Sequence, residues 1–451
     1  MSCFVIVGYE ARRLVRDRAL PVLLSLLLGF GGYAAWNGAD WVQKREAAIA
    51  LIKAEEQERI AFGRRFVETQ LVVPGLLAAL PPGVMAPVSM GQADNYPFNA
   101  DVSALGDYTM LFERVWSDIG SPAVRAAGRF DLAFVIVFLL PLVILAAAYD
   151  LWSGERERGI AAMVLSQPVA IGPLIAVKAL TRGLVVLFPA TAIVLAVAAW
   201  AGAREPLGLA ALALAVILYG AFWLVIAVVI NLVTRRSTEA AIAAGAIWLL
   251  VVVMAPSLTL TAVDLVAPAP SEMGFATELK ARKAEITERQ RLDREANPAP
   301  ARSPAPTIPE RLRALYADRV ALDNEIAPMI AAHQQAKRAR RDALDAVRFF
   351  LPSVAVQDAL DRIAGSDADR ALAFEDQARA AQLELRHLYK SHLDRDALLT
   401  PAEYDNAPRF QLRGTGGAFQ SGVLADLATL FIANLLILIA ARCLRGQAAT
   451  P

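Results

Sequence analysis

Six uncharged apolar runs punctuate the chain. They cover Ala19 to Trp36, Leu132 to Tyr149, Gly183 to Ala203, Pro206 to Thr234, Ala240 to Val263 and Val423 to Ala441, the last interrupted by Asp426. Each approaches the ~20 mostly apolar residues that a helix needs to cross ~30 Å of hydrocarbon. Between the runs the pattern changes. In Asn37 to Ala127, Trp41, Ala48, Ile52, Phe62 and Phe66 recur at helix-like intervals among charged residues. That predicts a helix continuing out of the first run, with a bend at Gly38 or Gly63. Pro74, Pro81, Pro82, Pro87 and Pro97 then predict irregular chain, followed by a short helix around Asp107 to Ile119.

The stretch from Val266 to Ser421 reads as further polar helices with thin apolar stripes. One runs from about Phe275 to Ala296 and stops at Asn297-Pro298-Ala299-Pro300. Thr307 with Glu310 is a capping box for the next, Pro328 is a kink site, and a further helix ends at Phe350. Ser353 can cap a short helix ending at Gly365, and Ser366 with Asp369 resembles a capping box for the last, about Asp367 to Leu398. The fold class expected is an all-α polytopic membrane protein, with six transmembrane helices and two mostly helical insertions.

Composition agrees. The 451 residues are 56% hydrophobic and 20% charged, with a mean hydropathy of +0.43. That is too apolar for a wholly soluble chain and too charged for one buried wholly in lipid. Lys+Arg 45 against Asp+Glu 44 gives no basic field, so nucleic acid is not an expected partner. The two cysteines, Cys3 and Cys443, lie at opposite ends and form neither a disulfide framework nor a zinc set. The long mixed-charge flank Glu10 to Arg18, with no small-x-small site after the first run, argues against a cleaved signal peptide.

Basic residues in short loops set the orientation. Arg12, Arg13, Arg16 and Arg18, then Arg156, Arg158, Lys178 and Arg182, then Arg235 and Arg236, and finally Arg442 and Arg445 all fall on one side if the runs alternate. Both termini are therefore expected in the cytoplasm, and both insertions outside it. The domain reading is a cytoplasmic helix over 1–18, spans at 19–36, 128–150, 171–203, 206–234, 237–265 and 422–443, a cytoplasmic loop at 151–170, insertions at 37–127 and 266–421, and a tail at 444–451.

Chemistry is sparse. There is no Gly-x-x-x-x-Gly-Lys-Ser/Thr phosphate loop and no His-Glu-x-x-His, so the chain is not expected to hydrolyse ATP itself or to be an enzyme. His387 and His392 are five apart on a helix and do not share a face cleanly, and no metal is expected. Gly414-Thr415-Gly416-Gly417 reads as a re-entry loop before the last span. Asp426 is either an interfacial anion near a helix's positive end, the reading favoured here, or an ion-coupling carboxylate. The informative segment is the loop after the second run. There the charged turn Glu155-Arg156-Glu157-Arg158-Gly159 precedes a short apolar helix and Pro168. Such a loop lies along the membrane face, either as a docking turn or as an anchor with snorkelling charges.

That run, followed by Leu165-Ser166-Gln167-Pro168-Val169 and Lys178, resembles the coupling region of ABC-2 type transporter permeases, with Val177-Lys178 in place of the more usual Gly-Lys. Glu10, Arg12, Arg13 and Arg16 stand in a segment similar to the family's amphipathic elbow helix. Leu351-Pro352-Ser353, Gln357 to Leu360 and Ala364-Gly365-Ser366-Asp367 resemble a subgroup with large extracytoplasmic insertions related to the permease of nitrous-oxide-reductase maturation, although Leu-Pro-Ser departs from its commoner Ser-Pro. The resemblance implies an inner-membrane permease subunit without a cofactor of its own. It implies a separate ABC ATPase that binds ATP and sits on the elbow helix and the 155–159 turn. It further implies pairing with a second permease subunit, as homodimer or heterodimer, and export of a substrate. An alternative is a mechanotransmitter acting on an extracytoplasmic protein partner without moving solute. A membrane sensor or scaffold without ATPase is the third reading.

Overall fold

The computed structural model describes residues 3–16, 18–91, 93–112, 130–167, 170–297, 307–414 and 421–448. Helix α1 (Cys3–Arg16) precedes α2 (Ala19–Arg64), one helix far longer than a bilayer requires. The helix runs unbroken through Gly38. A Cβ there would lie 2.3 Å from the Pro87 carbonyl oxygen, so the glycine lets the 81–91 loop press against the helix. The remaining spans are α4 (Leu132–Ala148), α7 (Ile171–Trp200), α8 (Pro206–Val233), α9 (Ser237–Val266) and α15 (Ser421–Ala448). Short helices α5 (Ser153–Glu157) and α6 (Ile160–Leu165) join α4 to α7. Two spans contain π-helical stretches, Val135–Leu139 in α4 and Leu249–Met254 in α9. Among the described residues, six helices are long and apolar enough to cross a membrane. Apolar side chains such as Phe188 and Ile242 stand fully outward, as a hydrocarbon solvent allows.

The insertions fold together. The first contributes an antiparallel pair, β1 (Leu76–Ala79) with β2 (Asn99–Val102), where the prolines predict irregular chain. It also contributes the single turn α3 (Tyr108–Leu111). The rest of the helix expected up to Ile119 lies outside the described residues, as do Pro168, Val169, the 298–306 linker and Thr415 to Gly417. The second insertion supplies α10 (Glu272–Ala296), α11 (Glu310–Arg348), α12 (Pro352–Ala364), α13 (Ala368–Arg395) and α14 (Pro401–Asp405). Val67, Leu76 and Val102 share one core with Phe374, Leu385, Tyr389 and Tyr404. Asp107, wholly buried, is held by Lys283 of α10 and Arg319 of α11, each at 2.9 Å.

Three capping expectations fail, two of them because a distant group takes the partner. The Thr307 and Ile308 amides donate to Asp396 at 2.8 and 3.0 Å, and α11 starts only at Glu310. Pro328 sits inside α11 without ending it. Ser353 does not cap α12; its hydroxyl donates to the Val251 carbonyl at 3.1 Å. Asp367, one residue later than expected, caps α13 through the Arg370 amide, while the Ser366 hydroxyl turns back to the Asp361 carbonyl.

Helix α12 belongs to the bundle rather than to the insertion module. Ala355, Val356, Ala359 and Leu360 pack in the same core as the spans. Arg340 of α11 donates to the Ala267 carbonyl at the insertion end of α9, whereas Ser353 reaches Val251. At 1.5 Å per residue these levels are about 24 Å apart along α9. The α11–α12 hairpin therefore re-enters the bundle, turning at Phe349 to Leu351.

Candidate functional site

The informative loop lies at the end of the bundle opposite the insertions, and one uncharged side chain fastens it. Asn231, in the last turn of α8, is wholly buried. Its carbonyl oxygen accepts from the Trp152 and Ser153 amides at 2.9 and 3.0 Å and from the Ser153 hydroxyl at 3.1 Å. Its amide donates to the Ala148 and Ala227 carbonyls at 2.9 and 2.8 Å. A single amide thus satisfies the end of α4 and the start of α5 together, which is what makes its burial tolerable. Gly159, at φ +72°, then supplies the left-handed residue that lets α6 leave α5 at a new angle.

Behind this loop lies a cluster of six charges drawn from three elements. Lys178 and Arg182 stand four apart on one face of α7, 6% and 3% exposed. Lys178 Nζ donates to Glu155 Oε1 at 2.5 Å and lies 3.7 Å from Glu10 Oε1. Arg182 meets the other oxygen of Glu10 at 3.6 Å, and donates to Asp150 Oδ1 at 2.6 Å and to the Ala147 carbonyl at 2.9 Å. Arg13 of α1 spans Asp150 at 3.2 Å and Glu155 at 3.5 Å. Three acids face three bases inside, so the buried part of the cluster is neutral, and Arg158 at its exposed rim lies 3.8 Å from Asp150. That neutrality is the condition for holding so many charges out of water, because an unpaired buried ion costs several kcal/mol.

The residues of the 155–159 turn therefore divide. Glu155 points inward and is 6% exposed. Arg156 is half-buried and donates to the Thr234 carbonyl at 3.0 Å, at the α8–α9 junction. Glu157 is exposed and accepts from the Ser237 amide at 3.0 Å and from its hydroxyl, at the first turn of α9. Arg158 is exposed and returns to the Gly154 carbonyl at 2.8 Å. Gly159, Ile160 and Met163 complete the exposed side. In α1, Glu10 and Arg13 enter the cluster, while Arg12 and Arg16 face outward.

Lys178, Arg182, Asp150 and Asn231 are the members that sequence reasoning missed as site residues. Their signal was present: an i,i+4 cation pair at a span entrance, an aspartate at the preceding span's exit, and a lone amide in an uncharged run.

Asp426 is not part of this site. It lies at the insertion end, wholly buried, 3.5 Å from Arg348 and 3.3 Å from Arg362. His392 Nδ1 lies 3.1 Å from the Ala397 carbonyl and His387 is exposed. Among the described residues no group of His, Cys, Asp or Glu could hold a metal ion.

The site joins an amphipathic terminal helix, a charged inter-span turn and the feet of four spans into one body with an exposed lip. A family model described as ABC-2 family transporter protein matches residues 4–372, which include α1, the whole cluster and Asn231. No curated protein matches the chain.

Proposed function

We propose, from the premise that this chain belongs to the ABC-2 family of transporter proteins, that it is the permease subunit of an exporter driven by a separate ATPase that docks on the lip formed by Glu157, Arg158, Gly159, Ile160 and Met163. The family is the membrane component of such machines, and it implies an ABC ATPase partner and a multi-pass place in a membrane. The docking reading rests on one observation above all. The neutral cluster of Glu10, Arg13, Asp150, Glu155, Lys178 and Arg182 locks the elbow helix, the turn and α7 into one unit, while Asn231, Arg156 and Glu157 fasten that unit to α8 and α9. A push on the lip is thereby delivered to several spans at once, which is what a two-state membrane path needs.

The arginines at the ends of the spans favour cytoplasmic termini in an inner membrane, with two such subunits around one path. A second reading, a mechanotransmitter acting on an envelope protein, draws support from the insertion module, whose own cores are built into the bundle through α12. The test is purification of the tagged chain from native membranes in mild detergent, with ATPase activity assayed on the eluate. A stoichiometric ATPase that Arg158→Ala releases is the expected result. Elution alone and without activity would overturn the reading and bring the scaffold alternative forward. If the ATPase is present, a rate that responds to a solute indicates export, and one that responds only to an added protein indicates mechanotransmission.

A further inference from the structure

The α11–α12 hairpin enters the bundle through a turn whose tip carries Phe349 and Phe350, 45% and 81% exposed. One charged contact seats it on the last span. Arg348, just before the turn, and Arg362, on the returning helix, converge on Asp426 of α15 at 3.5 and 3.3 Å. Neither oxygen of Asp426 accepts a hydrogen bond among the described residues, so the carboxylate holds the hairpin by charge alone. The arm of Arg362 crosses the first turn of α15 where a Cβ on Gly422 would lie 1.9 Å from its Nη1. A glycine there keeps that passage open.

The contact is also built to part. Arg348 already lies 3.1 Å from Asp345 and 3.7 Å from Asp358, and Arg362 lies 3.3 Å from Asp369. If the hairpin withdraws, neither arginine is orphaned. Asp426, wholly buried, then loses both partners, and Ser353 and Asp361 of the same hairpin part from the Val251 carbonyl and the Ser89 hydroxyl, so these are the contacts that resist opening.

We propose that Asp426, Arg348 and Arg362 form a releasable latch, and that its opening lets the re-entrant α11–α12 hairpin move against α15, carrying motion of the spans to the insertion module. The latch itself requires no docked ATPase; its connection to nucleotide turnover rests on the function proposed above.

The test uses the full complex with Cys3 and Cys443 replaced by serine. In Arg362→Cys with Asp426→Cys, a short bismaleimide replaces the ionic contact by a covalent one. The crosslinked form should lose ATPase turnover by tenfold or more, while the ATPase still co-purifies. Without crosslinker, and in the isosteric Asp426→Asn, amide exchange over residues 346–364 should quicken at least tenfold, with the exchange of α8 unchanged. Turnover in the crosslinked complex within twofold of the uncrosslinked one would overturn the coupling role. Unchanged exchange in Asp426→Asn would overturn the latch. The exchange measurement needs only the purified chain, so it decides on the latch even if no ATPase accompanies the protein.

Discussion

At the scale of single residues, the site turns on which charges face inward. Glu155 and Arg158 look equivalent in the sequence, three positions apart in one charged turn. Glu155 is shared by Lys178 and Arg13 in the buried cluster, whereas Arg158 is exposed and touches the cluster only through a 3.8 Å pair with Asp150. Glu155→Ala should therefore cost up to about 3–5 kcal/mol, because it leaves Lys178 only its 3.7 Å contact with Glu10 and leaves the cluster one buried positive charge in excess, read as a fall in the thermal midpoint of the purified protein. Arg158→Ala should leave that midpoint in place and lower ATPase stimulation. Loss of Lys178 together with Glu155, as Glu155→Gln with Lys178→Met, should cost less than Glu155→Ala alone, since no ion is then left unpaired. Equal midpoints for the three variants would remove the cluster from its structural role. Asn231→Leu keeps the shape but leaves the Trp152 and Ser153 amides and the Ala148 carbonyl without their partner. At ~1–3 kcal/mol for each buried group so left, it should destabilise the protein more than any substitution on the exposed lip.

At the scale of elements, periodicity shows where a helix runs, and close approach shows why it runs that way. α2 runs unbroken through Gly38, and the glycine there admits the Pro87 carbonyl. Gly38→Ala should push the 81–91 loop off the helix and loosen the Trp41–Asp94 hydrogen bond beyond it. Faster limited proteolysis within residues 81–98, with the spans intact, would record this; an unchanged digestion pattern would show that the loop can shift without cost. Of the capping failures at Thr307, Ser353 and Ser366, the first two have the same character. At Thr307 and Ser353 a distant partner took the group, Asp396 and Val251 respectively, whereas Ser366 turned back to the Asp361 carbonyl at the end of the preceding helix.

At the scale of the whole molecule, the two insertions are one module because α3 is pinned inside the second. Burial alone would raise the pKa of Asp107, but Lys283, Thr109 and Arg319 hold it below its ordinary 3.8. A carboxylate with a depressed folded pKa contributes stability that is fully present above its unfolded pKa and is lost as pH falls through the folded value. The wild-type module should thus hold its α3 contact at neutral pH and lose it only below about pH 4. Asp107→Asn should lower the thermal midpoint of the module at neutral pH and flatten its decline on acidification. A decline as steep as in the wild type would assign the acid sensitivity to other carboxylates.

The sequence by itself determined the membrane class, the six spans and the helical nature of the insertions. These follow from runs of apolar residues and from helical spacing, which are local properties of the chain. Through its short motifs it also pointed to the family and to the segment around Glu155. Tertiary structure decided the rest. Whether Glu10 meets Lys178, whether Asn231 ties α4 to α8, whether α12 lies in the bundle, and whether Asp426 faces lipid or two arginines all depend on pairs of residues far apart in the chain. A buried charge or amide is stable only beside its partner, and no local pattern in one sequence says which distant residue that partner is.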